Sequence, residues 1–187
     1  DNWKDLANSF ERIGDAEKTA WLPYYYAAFC QVMAGTLSMP QDGSFGDNSA
    51  IADPYADKAE QLINKAAEMS QDNSEIFCVK KMIHSLRMMG NAMARYMTEG
   101  PKATAALEQA KALNENNPRV YILEGQDKFY TPEQYGGSKE EAKKLFEDLF
   151  KELADKHTSK YFHIGGDETY LLGSCKDCQA KVLKSNK

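Results

Sequence analysis

The sequence predicts an all-α protein built from helix-turn-helix repeats, and two observations carry that prediction. The first is a stretch that occurs twice. Lys58-Ala59-Glu60-Gln61-Leu62-Ile63-Asn64-Lys65-Ala66 runs on to Asn73-Ser74-Glu75-Ile76-Phe77, and Lys102-Ala103-Thr104-Ala105-Ala106-Leu107-Glu108-Gln109-Ala110 runs on to Asn117-Pro118-Arg119-Val120-Tyr121. The copies align without a gap at an offset of 44 residues. Ala59/Ala103, Ile63/Leu107, Ala66/Ala110 and Met69/Leu113 form one helical stripe, followed by a polar Asn turn. Small residues on that stripe let two helices approach closely, and the turn folds the second helix back on the first. The second observation is that everything before residue 140 reads as paired helices, with no alternation of strand and helix. About seven or eight helices are expected. They form one helical repeat domain over residues 1–157, followed by a tail over 158–187 that packs on it, with one short extended segment near 160–165.

Taken in order, residues 1–14 read as an amphipathic helix, with Trp3, Leu6, Ala7, Phe10 and Ile13 on one face. Gly14-Asp15 is expected to break it, and Asp15 to cap the next helix. That helix carries the aromatic run from Trp21 to Phe29, and Pro23 places its start close to Trp21. Residues 36–52 read as a loop. Its surroundings hold Asp42, Asp47, Asp53 and Asp57, but their spacing misses the calcium-loop pattern, and solvated turns account for them. The repeat copies span roughly 54–98 and 101–130. The methionine-rich stretch Arg87–Met97 alternates with small residues, which favours core filling over an adaptable binding surface. His84 has no partner at metal-ligand spacing. Ser138 followed by Glu141 is a capping box opening a helix through about Lys156, with Ala142, Leu145, Phe146, Leu149, Phe150 and Leu153 on its apolar face.

Bulk properties narrow the function classes. A chain of 187 residues suits one domain. A net charge of -5 without a dense Lys/Arg cluster argues against a nucleic-acid or anionic-membrane surface. No stretch approaches the roughly 18 apolar residues that span a bilayer. The chain opens on Asp1 rather than Met, and the expectation is that an N-terminal segment has been removed. Cys30 and Cys78 lie in apolar helical patterns and read as small buried hydrophobes. Cys175-Lys-Asp-Cys178 is a lone CxxC; a zinc site needs two further ligands, so metal binding through Cys175, Cys178 and His163 is the weakest of the functional readings.

Helical scaffolds of this kind bind a protein or peptide more often than they catalyse, and no cofactor is implied. Tyr24, Tyr25, Tyr26, Arg87, Arg95, Arg119 and Tyr121 are the candidate binding residues on the concave face, since aromatic and Arg side chains anchor interfaces. Core packing accounts for each tyrosine as well.

Four segments together resemble a known family: Leu6–Ile13, Trp21–Ala28, Asn116–Tyr121 and Tyr130-Thr131-Pro132-Glu133-Gln134-Tyr135-Gly136-Gly137. They are similar to the small tetratricopeptide-like proteins common in Bacteroidetes-type bacteria, over residues 5–150. The resemblance implies a helical scaffold and, because such proteins carry an export signal, a periplasmic or secreted location. That family ends in a short Trp-Gly segment and one helix. Here the place is taken by Lys160-Tyr161-Phe162-His163-Ile164-Gly165-Gly166-Asp167-Glu168-Thr169-Tyr170.

This last stretch closely resembles the active-site strand of family-20 glycoside hydrolases, the β-N-acetylhexosaminidases. The resemblance implies Glu168 as general acid, Asp167 orienting the acetamido group of an N-acetylhexosamine-containing glycan, and His163 nearby on the strand. Such a site is assembled from several strands of a barrel of about 200–250 residues. The helical pattern upstream supplies none of them. A turn with an N-cap at the start of a last helix over 167–183 is therefore favoured over hydrolase chemistry, and no catalytic residue is favoured.

Overall fold

The computed structural model describes residues 2–40 and 46–156. Among the described residues the chain is all-α, without a strand. Its helices are α1 (Asn2–Glu17), α2 (Trp21–Ser38), α3 (Ser49–Met69), α4 (Ser74–Gly90), α5 (Ala92–Leu113), α6 (Pro118–Tyr130) and α7 (Lys139–Lys156), with a 3-10 turn at Glu133–Tyr135. The chain divides into two compact units, Asp1–Leu149 and Phe150–Lys187. In the second, the described residues are the last turns of α7, where Phe150 and Leu153 are exposed. The extended segment near 160–165, the HIGGDE stretch and the 167–183 helix lie outside the described residues.

In the first unit each helix through α6 packs on the one before it, and α4 also touches α2 and α6. The duplication is visible in the packing. Ala59, Ala66, Ile76 and Val79 are buried, and so are their counterparts Ala103, Ala110, Val120 and Leu123. Asn73 and Asn117 do the same work in each copy. Each caps a helix, accepting from the N–H of Glu75 at 3.0 Å and of Arg119 at 2.9 Å. The main core gathers Tyr24, Tyr25, Val32, Leu62, Ile63, Ile76, Ile83 and Leu86 from α2, α3 and α4. A smaller one holds Cys78, Ala110, Val120 and Leu123. Cys30 and Cys78 are buried free thiols, and burial pushes Cys78 up to about 12.

Several local expectations are corrected. The α1 helix does not break at Gly14-Asp15. It runs to Glu17, and Gly14 lies against the Tyr24 ring, where a Cβ would sit 2.8 Å from ring carbon. Asp15 does not cap α2; it accepts from Tyr24 Oη at 2.8 Å and pairs with Lys65 at 3.3 Å. The spans 54–98 and 101–130 do not part at a break in the helix, since Gly100 and Pro101 both lie inside α5. The α5 helix runs through both, although Pro101 has no N–H to give the carbonyl four residues back. The loop after α2 starts only past Ser38, and α3 begins at Ser49. Asp53 and Asp57 are taken up by ion pairs with Arg95 and Arg87. His84 is packed within the fold, its Nδ1 lying 2.7 Å from Glu99 Oε2.

Candidate binding surface

The methionine stretch is not core. Met93 is 92% exposed and Met97 78%, and Tyr96, between them on the same face of α5, is half exposed. Residues three and four apart on a helix are surface neighbours, so these three form one apolar strip. Gly100 continues it without a side chain, and only Met88 Sδ comes within 4.0 Å of where its Cβ would be. Met93 is the most exposed large hydrophobic side chain among the described residues, and contiguous exposed apolar side chains call for an explanation that scattered single ones do not.

Comparison of the two copies shows why the strip is uncovered. Its counterpart in the first copy is the start of α3, where Ala52 is fully buried beneath Gly90 at the end of α4. The α4 helix runs 17 residues, but its counterpart α6 runs only 13. Thr131 precedes Pro132, a context that disfavours helical backbone, and it adopts an extended φ of -73° and ψ of 133°. With α6 ending at Tyr130, the start of α5 loses the cover that α4 gives α3. The connection from 131 to 138 takes its place in part. Tyr135 reaches the Tyr96 ring at 6.2 Å between centroids, and Phe129 and Tyr130 make an edge-to-face pair at 5.1 Å. Tyr130 and Tyr135 are themselves largely exposed. The connection is pinned at both ends. Ser138 N donates to the Lys128 carbonyl at 2.8 Å, and Gly137 N donates to the Pro132 carbonyl at 3.2 Å. The capping box closes only halfway. Glu141 N donates to Ser138 Oγ at 3.1 Å, while the Glu141 carboxylate turns to Lys128 at 2.7 Å.

The seven residues expected on a concave face are engaged within the fold. Tyr24 and Tyr25 are buried, and Tyr26 stacks on Phe10 at 5.3 Å. Arg87 pairs with Asp57 at 2.6 Å and Glu60 at 2.8 Å. Arg95 grips Asp53 with both terminal nitrogens, at 2.5 and 2.8 Å, and also donates to the Arg87 carbonyl. Those hydrogen bonds hold the Asp53 and Glu60 carboxyls below the usual range. Tyr121 Oη donates to the Glu115 carbonyl at 2.7 Å. Tyr25 and Arg119 converge on Glu75, the Arg119 guanidinium also lying 5.3 Å from the Phe29 ring centroid. Burial pushes the Tyr25 phenol up, and its bond to the Glu75 carboxylate adds to that. Asp167, Glu168, His163, Cys175 and Cys178 lie outside the described residues. Among the described residues no three His, Cys, Asp or Glu side chains cluster as a metal site would require, and no helix is long and apolar enough to cross a membrane.

Sequence reasoning read the methionines but assigned them to the core. The signal that would have exposed them is Pro132, which ends α6 early and is legible only once it is aligned against the uninterrupted α4.

Residues 99–187, a little under half of the chain, match the catalytic domain of glycosyl hydrolase family 20. The part of that match within the described residues is helical, from α5 to α7. No curated protein matches the chain significantly. Among solved structures, the HusA haemophore from Porphyromonas gingivalis is similar at 31% sequence identity and a TM-score of 0.69, with 96% of this chain and 84% of that one covered. On an identity of that size sustained over nearly its whole length, the chain belongs to the family of the HusA haemophore.

Proposed function

We propose that this protein is a non-catalytic haem-binding protein that holds the tetrapyrrole against Met93, Tyr96 and Met97 of α5 and Tyr135 of the following connection. The observation that carries the reading is the apolar strip left open on α5 in a chain whose relative is a haemophore. Aromatic faces stack on planar rings, and the flexible, polarisable thioethers of methionine adapt to them. Met and Tyr side chains are also among those that ligate haem iron. The scaffold is tetratricopeptide-like, and the protein acts in the periplasm or outside the cell, where free haem is captured. A small planar cargo thus replaces the protein or peptide partner expected from the sequence. Titration with haemin, followed at the Soret band, tests this. The wild-type protein should shift and sharpen the band at one equivalence point, and a Met93→Ala/Tyr96→Ala/Met97→Ala variant should bind roughly tenfold or more weaker, about 1.4 kcal/mol or more. An unchanged Soret band with the wild-type protein would sink the reading.

The family-20 match supports a second reading, a β-N-acetylhexosaminidase-like activity through Asp167 and Glu168 with His163 nearby. Hydrolysis of a chromogenic N-acetylglucosaminide that disappears in Glu168→Gln would establish it. No turnover in either protein would dismiss it.

A further inference from the structure

We propose that the uncovered surface has a cationic edge, made by Lys128 and Lys139, which takes carboxylates carried on one edge of a planar apolar ligand. The inference rests on the haem reading above and gives its site a polarity. Lys128 Nζ approaches the Gly136 carbonyl at 3.4 Å, and Gly136 directly follows Tyr135, whose ring meets Tyr96. The Lys128 ammonium is therefore held against the backbone of the residue next to Tyr135. The bond from Ser138 N to the Lys128 carbonyl ties the start of α7, where Lys139 stands, to the end of α6. Lys139 Nζ lies 5.7 Å from the centroid of the Phe129 ring.

The two lysines differ in their present partners. Lys128 is paired with Glu141 at 2.7 Å, and that hydrogen bond raises its pKa and keeps it charged. The Glu141 side chain is itself exposed. Exposed pairs of this kind are weak and exchange readily, so a ligand carboxylate can displace Glu141. Lys139 has no carboxylate partner among the described residues, and its ammonium rests over an aromatic ring. Glu133 on the connection and Glu140 in the first turn of α7 are exposed and limit the net positive field, so the edge selects by close contact rather than by long-range attraction. An apolar strip continuous with two ammoniums at one end matches an amphiphilic ring with its acids on one side. A fully apolar ring would leave the ammoniums idle.

The test compares haemin with haemin dimethyl ester, in which both carboxylates are masked, under one buffer and cosolvent. The wild-type protein should bind haemin roughly tenfold more tightly, in line with charge-assisted hydrogen bonds. Lys128→Gln/Lys139→Gln should lose that preference while its affinity for the ester is unchanged. Glu141→Gln, which frees Lys128, should tighten haemin binding and leave the ester alone. Equal affinity for the two ligands, unmoved by any of these variants, would overturn the cationic edge and leave the haem reading standing. Failure of both ligands to bind the wild-type protein would overturn both.

Discussion

Glu75 and Arg119 stand at the same place in the two copies of the repeat, and they are paired with each other, Arg119 Nε donating to Glu75 Oε2 at 2.8 Å. Asn117, which caps α6, also donates to Glu75 Oε1 at 2.8 Å and to Ser74 Oγ at 2.9 Å. Ser74 in turn donates to the Ala110 carbonyl at 2.7 Å. One carboxylate thus joins α2, α4 and α6 through Tyr25, Arg119 and Asn117. The repeat boundary is fixed by polar bonds between matching turns as well as by apolar packing.

Glu75→Gln keeps the shape but takes the charge from three donors. A hydrogen bond to a charged group contributes about 1.5–3 kcal/mol, so a loss of that order is expected. At about 2–4 °C per kcal/mol for a chain of this size, the melting temperature should fall by several degrees. A double cycle with Arg119→Gln should show coupling of about 0.5–3 kcal/mol. A melting temperature within one degree of wild type would contradict the account.

The same site predicts an acid limb in stability. Burial alone would raise the Glu75 pKa, but hydrogen bonds from Tyr25 and Arg119 outweigh it and leave it below the usual value. A carboxyl depressed in the folded state stabilises the fold above its unfolded pKa, about 4.5, and that contribution disappears as the pH falls through the folded value. Asp53 and Glu60 act in the same direction through Arg95 and Arg87. Stability should therefore fall as the pH drops below about 4.5. In Glu75→Gln the decline should be shallower. Chemical unfolding at a series of pH values measures it, and an identical slope in the variant would remove Glu75 from the explanation.

Much of the fold was legible in the sequence because its signals are local. The Asn73 and Asn117 caps, the paired alanines of α3 and α5, and Pro23 at the start of α2 each act within a few residues of themselves. The binding surface was not legible, since exposure depends on what stands opposite. Met93 and Met97 have the spacing of a core stripe and become surface only because α6 stops at Tyr130. Likewise Arg87, Arg95 and Arg119 have the composition of an interface, and only the fold reveals Asp57, Asp53 and Glu75 beside them. Gly14 read as a helix breaker because the Tyr24 ring that fills its side is not in the local sequence.

Stability and binding should separate on α5. Met93→Ser/Met97→Ser removes side chains that are exposed, so unfolding should stay within about 0.5 kcal/mol of wild type. Haemin binding should weaken in the same protein. Ile83→Ala, in the main core, should do the reverse, costing about 2–5 kcal/mol, while the remaining folded protein binds haemin as before. Urea unfolding beside Soret titration decides. Methionine variants that unfold as easily as Ile83→Ala would return those residues to the core.

Gly137 offers a way to disturb the surface without touching it. A Cβ there would lie 1.7 Å from the Thr131 carbonyl oxygen, an overlap with backbone that no rotamer relieves. Gly137→Ala must therefore open the connection between α6 and α7, which carries Tyr135 to Tyr96 and Lys139 to Phe129. Gly136→Ala is the control. Gly136 has φ of 92° and open space around it, so alanine costs about 1–2 kcal/mol of left-handed backbone but meets no neighbour. Both variants should melt lower than wild type. Only Gly137→Ala should also weaken haemin several-fold, because it alone shifts the aromatic and cationic groups apart. If both bind haemin as the wild-type protein does, the connection is a tether and the ligand rests on α5 alone.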